Sequence, residues 1–137
     1  MPELFGDIWI PSAVVEELST ARTPGVVHDF LRDPEPWLRV REPKREILET
    51  ITAQLDRGER AALALARELG ADLILVDDAA ARKHARSLGF RITGTIGVLR
   101  LAAERGLINV PATVEQLRQC GLYMDESLLR AAFHEWL

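Results

Sequence analysis

The sequence feature that most constrains the fold is a run of apolar residues at 73–76, followed directly by Asp77 and Asp78. A run of strand length without polar alternation is typical of a strand that is buried on both faces of a parallel sheet. Helical patterns lie on both sides, at 61–69 before Gly70 and at 79–88 before Gly89, and glycine suits the left-handed position after a helix. The order predicts an α/β fold in which 73–76 is the central strand of those present.

Weaker patterns extend this plan toward both ends of the chain. A β-prone run at 8–10 stops at Pro11, where Ser12 can cap the next helix, and a short strand at 90–92 precedes a helix at 96–105. We expect both strands to run parallel to 73–76, with helices on both faces. The proline-rich stretch from 20 to 43 predicts a short helix at 26–31 and an edge strand at 37–40, and Asp125 can cap a last helix.

Composition narrows the class of protein. A chain of 137 residues, 47% of them hydrophobic, fits one folded domain, and no apolar run approaches the roughly 20 residues that cross a bilayer. We therefore expect a cytoplasmic protein with no membrane partner. The only cysteine, Cys120, is expected to be a buried structural thiol. A net charge of −4 argues against a nucleic-acid coat protein, yet it does not exclude a nuclease with a local acidic pocket.

Acidic residues mark where chemistry is expected. Ligands of parallel sheets bind beyond the carboxyl ends of the strands, and Asp77 and Asp78 stand at such an end, where one can cap the following helix while the other points into the crevice. Glu17 lies in the helix after the first strand, and Glu59 begins a helix behind the Asp56-Arg57-Gly58 turn. Each glutamate alone also fits a surface or first-turn position.

The arrangement of these segments resembles PIN-domain proteins. A strand is followed by Pro-Ser-Ala-Val-Val-Glu-Glu-Leu, a proline-rich stretch, Asp-Arg-Gly-Glu-Arg-Ala-Ala-Leu-Ala-Leu-Ala, and Leu-Ile-Leu-Val-Asp-Asp-Ala-Ala-Ala-Arg. The most specific parts are Gly58-Glu59, Asp77, Arg82 and the segment at 93–99. The similarity covers residues 4 to about 129 and looks closest to the VapC-like branch.

The resemblance implies a three-layer α/β/α ribonuclease that depends on Mg²⁺ or Mn²⁺ and cuts RNA, often as a toxin neutralised by an antitoxin protein. By carry-over, Glu17, Glu59 and Asp77 would be the catalytic and metal-binding acids, and Asp78 is an ambiguous further ligand. Glu16 matches the family glutamate less well than Glu17. Because close carboxylates repel, at least one should have a raised pKa without metal.

Substrate contacts are implied in the same way. Thr93 and Thr95 would hydrogen-bond a phosphate or a water on the metal, and Arg82 would contact a substrate phosphate. A helix cap for Thr95 and a solvated helix face for Arg82 remain equally open.

The chain departs from the family pattern at its start. By the resemblance, Met1 falls inside what corresponds to the family's first helix, so we expect the preceding central strand and its aspartate, normally a principal metal ligand, to be missing. We therefore expect one N-terminally incomplete domain over 1–137, a poor nuclease as it stands, and homo-oligomers that cover unpaired strand edges.

Whether the chain is an enzyme stays open at this stage. The alternative to a ribonuclease is a non-catalytic PIN remnant that binds a protein or dimerises. A different α/β enzyme acting on phosphate esters is less favoured, because the adjacent Asp77 and Asp78 lack the spacing that such phosphatases use.

Overall fold

The structure, a computed structural model, describes residues 2–20, 25–119 and 125–137. The prediction of a buried Cys120 thiol lies outside the described residues. The chain divides into two compact units, Met1–Ile92 and Thr93–Leu137. The described helices and strands are α1 Pro2–Phe5, β1 Ile8–Ile10, α2 Ser12–Leu18, α3 Gly25–Arg32, β2 Leu38–Val40, α4 Arg45–Leu48, α5 Arg57–Leu69, β3 Ile74–Leu75, α6 Ala79–Ser87, β4 Ile92–Thr93, α7 Thr95–Glu104, α8 Val110–Gln119 and α9 Glu126–Phe133.

The first sheet of the first unit consists of β1 and β2, which run parallel with Ile8 opposite Leu38 and Ile10 opposite Val40. The Ile8 amide donates to the Trp37 carbonyl at 2.7 Å. Parallel pairing requires a crossover connection, and the predicted short helix is present there as α3. The predictions of a strand at 8–10 and of an edge strand at 37–40 are confirmed.

The second sheet joins β3 to β4, and the Ile74 amide donates to the Arg91 carbonyl at 2.9 Å. Among the described strands β3 has only this partner, so the prediction that 73–76 is the central strand of those present is wrong. The apolar run indicated burial, but Leu75 is 50% exposed and only Ile74 lies fully in the core. The α/β class is nevertheless correct, with helices around short strands.

Helix α5 organises the core of the first unit. The Asp56 carboxylate accepts a hydrogen bond from the Glu59 amide at 2.9 Å and caps the first turn, and Gly70 ends the helix at φ 61°. Between these signals Leu63 is buried to 1% exposure and packs with Ile51 and Ile74. Removing a leucine side chain from water contributes about 1.5–3 kcal/mol, so α5 anchors the cleft described below.

The second unit has its own small core. Val110 and Val114 of α8 pack with Leu129 and Phe133 of α9. Asp125 caps α9, as predicted, by accepting hydrogen bonds from the Ser127 and Leu128 amides.

One predicted cap is wrong. The residue before α2 is Pro11, and Ser12 is the first helical residue instead of the cap. Pro11 fits that place because its fixed φ suits the entry to a helix. None of the described helices combines the length and apolar character needed to cross a bilayer.

Candidate active site

An open cleft of about 190 Å³ lies in the first unit, between α2, the first turns of α5, the end of β3 and the start of α6. Apolar side chains form part of its lining, namely Val14, Ala62, Leu63, Leu75 and Val76. Its polar lining consists of Glu17, Glu59, Asp77 and Asp78. The structure therefore brings together all four acids that the sequence singled out, although they come from three separate segments. Their chemical roles stay a prediction.

Glu17 is held close to the start of α5 because residue 58 is glycine. A Cβ atom built on Gly58 would lie 2.7 Å from Glu17 Oε2, and it would overlap Oε1. Gly58 is buried, whereas Glu17 is an exposed residue of α2. The absence of a side chain at 58 leaves the space that the Glu17 carboxylate occupies.

Glu59 is positioned by the local structure of the first turn of α5. It is the third residue of the helix, and its amide is capped by Asp56. Burial raises the pKa of Glu59, and repulsion from the Asp56 and Asp78 carboxylates raises it further. The prediction that one carboxyl group has a raised pKa is confirmed, although burial is the larger cause and repulsion the smaller one.

Asp77 and Asp78 leave β3 at its carboxyl end and differ in their local roles. Asp78 Oδ2 accepts a hydrogen bond from the Ala81 amide at 2.9 Å and so caps α6. The sequence predicted that one of these two aspartates caps the following helix. Both Asp77 and Asp78 line the cleft.

Glu16, which matches the family glutamate less well than Glu17, does not contribute to the cleft. Its carboxylate forms an exposed ion pair with Arg57, and it does not line the cleft. Glu17 is therefore the member of the pair that lines the cleft, and its role in binding metal stays a prediction.

The acidic cleft offers only oxygen ligands, which are the ligands that Mg²⁺ and Mn²⁺ favour. Among the described residues, however, no three histidine, cysteine, aspartate or glutamate side chains come close enough together to hold one ion. Mg²⁺ is commonly held by one or two protein carboxylates and keeps several waters, so this donor set fits such an ion with water completing its shell.

The predicted substrate residues fall in different places. Arg82 follows Ala81, which lines the cleft, on α6. Thr93 and Thr95 belong to the second unit. Gly94 occupies the N-cap position of α7, and Thr95 is the first residue inside the helix, so a helix-cap role for Thr95 is wrong. A Cβ on Gly97 would overlap the Thr93 hydroxyl.

Two features of the site were not assigned from the sequence. Asp56 contributes to the electrostatics of Glu59, and the Asp-x-x-Glu spacing of a helix start could have identified it. The ion pair from Arg57 to Glu16 joins residues 41 positions apart, and no local pattern predicts such a pair.

Short parallel strands surrounded by helices, with carboxylates gathered where a strand ends, define a small α/β fold with an acidic cleft. The chain matches the family model described as "DUF3368: PIN domain" over residues 1–136, and it therefore belongs to the PIN-domain family. A comparison with curated proteins finds no match. Membership suggests nuclease activity and nucleic-acid binding in general terms, and PIN domains generally use divalent metal ions.

Proposed function

We propose that this protein is a metal-dependent ribonuclease of the VapC-like toxin type that hydrolyses RNA phosphodiester bonds in the cytoplasm. The observation that carries the proposal is the convergence of Glu17, Glu59, Asp77 and Asp78 on one cleft. An isolated surface glutamate or a helix cap would not require acids from three segments to share a cavity.

The proposed roles follow from the surroundings of each acid. Asp77 and Glu59 bind the cation, because both line the cleft and both match acids of the PIN-domain pattern. Glu17 and Asp78 hold waters around the ion. A bound Mg²⁺ or Mn²⁺ supplies charge neutralisation at the scissile phosphate and activation of the attacking water. The raised pKa of Glu59 reflects a charge that burial and neighbouring carboxylates disfavour, and a cation would relieve this repulsion.

Substrate contacts complete the proposal. Arg82 binds a phosphate beside the cleft, because a guanidinium group matches two phosphate oxygens at once. Thr93 and Thr95 would donate hydroxyl hydrogen bonds to the RNA. We further propose an antitoxin protein as the regulatory partner and a homo-oligomer as the working assembly. Size-exclusion chromatography with light scattering tests the second point, and a strictly monomeric particle would contradict it.

The test is cleavage of single-stranded RNA by purified protein with Mn²⁺, Mg²⁺ or EDTA. We expect cleavage that needs the metal and is abolished by Asp77→Asn. The neighbours Glu17 and Glu16 provide a matched pair, because only Glu17 lines the cleft. Glu17→Gln should reduce the rate by about 10-fold or more, whereas Glu16→Gln should leave it unchanged. Equal effects of the two substitutions would contradict the assignment.

A non-catalytic module that binds a protein or dimerises is the second candidate function. One observation favours it, namely that the described residues contain no group of three ligating side chains. This alternative predicts no measurable Mn²⁺ binding by calorimetry and no metal-dependent cleavage, together with stable self-association. Saturable Mn²⁺ binding that Asp77→Asn removes would reject it.

A further inference from the structure

We propose that one side of α6 is a binding surface for the RNA backbone and guides the strand to the carboxylate cleft. The α6 basic face consists of Arg82, Lys83 and Arg86. The proposal rests on the proposed function for the identity of its ligand, which is the RNA substrate. It extends the candidate contact at Arg82 to a continuous surface.

The helical period places these residues side by side. At 100° per residue, Arg82, Arg86 and Lys83 fall within an arc of about 100°. Ala81 and Ala85 occupy the neighbouring arc and are buried at 1% and 0% exposure, so the orientation of the helix is fixed by the core. Lys83 and Arg86 are exposed, and Arg82 is half-buried. The basic face therefore looks outward from the first unit.

Among the described residues, no neighbouring acid neutralises the charges of the α6 basic face. α6 contains no aspartate or glutamate, and within the described residues no carboxylate lies within 4 Å of these three cationic groups. Five other basic residues of the same unit do have acidic partners within 4 Å, whereas Lys44, Arg60, Arg67 and Arg91 have none among the described residues. The five paired residues are Arg32, Arg39, Arg41, Arg45 and Arg57. In a chain of net charge −4, three adjacent unpaired cations form a local site for a polyanion.

The position of α6 relative to the cleft sets the direction of this surface. Asp78 caps the helix and Ala81 lines the cleft, so the basic face starts beside the acidic site. Arg86 lies one turn further, about 6 Å along the helix axis from Arg82. If successive RNA phosphates bound along the α6 basic face, the next phosphodiester of the RNA would lie at the carboxylates of the cleft.

The chemistry of the surface favours nucleic acid over an acidic protein. Protein interfaces depend on large apolar or aromatic anchors, and α6 from Ala79 to Ser87 has none. Backbone phosphates, in contrast, need only cationic contacts, with two hydrogen bonds from each guanidinium group. A row of arginine and lysine without apolar neighbours matches the second kind of ligand.

The experiment measures binding of a single-stranded RNA oligonucleotide by fluorescence anisotropy in EDTA, where no cleavage occurs, for wild type and Lys83→Gln/Arg86→Gln. At about 0.1 M salt we expect the double variant to bind about 10-fold more weakly or worse, and its log–log salt slope to be smaller by about 1.4. Arg45→Gln removes one positive charge, from an arginine already paired with Glu49, and should bind like wild type. Lys83→Arg should retain binding.

Several outcomes would overturn the proposal: no RNA binding by wild type, unchanged affinity and slope in the double variant, or a change in thermal stability alone. The last would mean that the cations only stabilise the carboxyl end of α6. Displacement by polyglutamate as effective as by unlabelled RNA would assign the face to an acidic protein. RNA binding through α6 without metal-dependent cleavage would reject the proposed ribonuclease activity but support this binding surface. Metal-dependent cleavage by the double variant with unchanged KM would reject the binding surface but support the ribonuclease activity.

Discussion

Replacing Gly58 by alanine should separate the stability of the protein from its affinity for metal. A methyl group at this position would overlap the Glu17 carboxylate. Because that carboxylate is the end of a flexible, exposed side chain, we expect it to rotate away from α5 without moving the backbone. Its place beside the cleft would then be lost.

The magnitudes follow from the two effects. Alanine is better than glycine in a helix by about 0.8–1 kcal/mol, so the free energy of unfolding should stay constant or rise by up to about 1 kcal/mol. For a chain of this size that gain corresponds to about 4 °C in Tm. Displacing a carboxylate that supports a bound ion typically costs about 10-fold to 100-fold in affinity, so Mn²⁺ binding should weaken by about 10-fold or more.

The assay is isothermal calorimetry with Mn²⁺ beside thermal denaturation. Glu17→Gln should weaken Mn²⁺ binding to a similar extent, and adding it to Gly58→Ala should change little more, because both substitutions remove the same contact. Gly25→Ala is the control, since a Cβ there meets nothing within 4 Å. Wild-type Mn²⁺ affinity in Gly58→Ala would refute the placement of Glu17, and a large loss of stability would show that Glu17 cannot move.

Three further predictions concern the framework. Glu68→Ala should lower the free energy of unfolding by about 2 kcal/mol, because the Glu68 side chain is 8% exposed, accepts a hydrogen bond from the Lys44 backbone amide and lies 3.1 Å from Arg41 Nη2. In urea denaturation, substitution of the exposed Glu49 by alanine should cost under about 0.5 kcal/mol. Equal costs for the two variants would contradict this. Phe133→Ala should cost about 3–5 kcal/mol by loss of core packing in the second unit, and a cost under about 1 kcal/mol would count against that core. Hydrogen bonds from Ser127 and Leu128 lower the pKa of Asp125, so the contribution of Asp125 to stability is complete above the ordinary aspartate pKa and fades as the pH falls through the lowered value. Asp125→Ala should therefore reduce Tm at pH 7, and its Tm should approach that of wild type in acid. A difference in Tm that does not depend on pH would refute this.

The sequence predicted best where the cause is local. Asp78 and Asp125 act as helix caps, and Gly70 ends a helix with positive φ, because short-range hydrogen bonding and backbone sterics decide these positions. Ser12 is the exception, since Pro11 takes the position before the helix.

The pairing of strands and side chains that lie far apart in the sequence was harder to predict. The apolar run around Ile74 predicted burial on both faces, but Leu75 is half exposed. The run also could not tell how many strands lie beside it, and among the described strands it has one partner. Burial depends on side-chain chemistry, whereas strand order depends on the path of the whole chain. The clamp between Glu68 and Arg41 and the pair between Glu16 and Arg57 join distant residues, so no sequence period marks them.

The candidate site lies between these extremes. Each of Glu17, Glu59 and Asp77 has an ordinary explanation when taken alone, and only their joint match to the PIN-domain pattern predicted a shared site. The structure places them around one cleft, and it adds what the pattern could not state, namely that Gly58 provides the space for Glu17 and that burial raises the pKa of Glu59.

The central claim is that this cleft binds the divalent cation. Paramagnetic broadening of amide signals during Mn²⁺ titration tests it most directly, because the effect falls steeply with distance from the ion. We expect the amides of Gly58, Glu59 and residues 77–81 to broaden first in wild type and to remain sharp at the same Mn²⁺ concentration in Asp77→Asn. Broadening that begins elsewhere, or that Asp77→Asn does not change, would contradict the account.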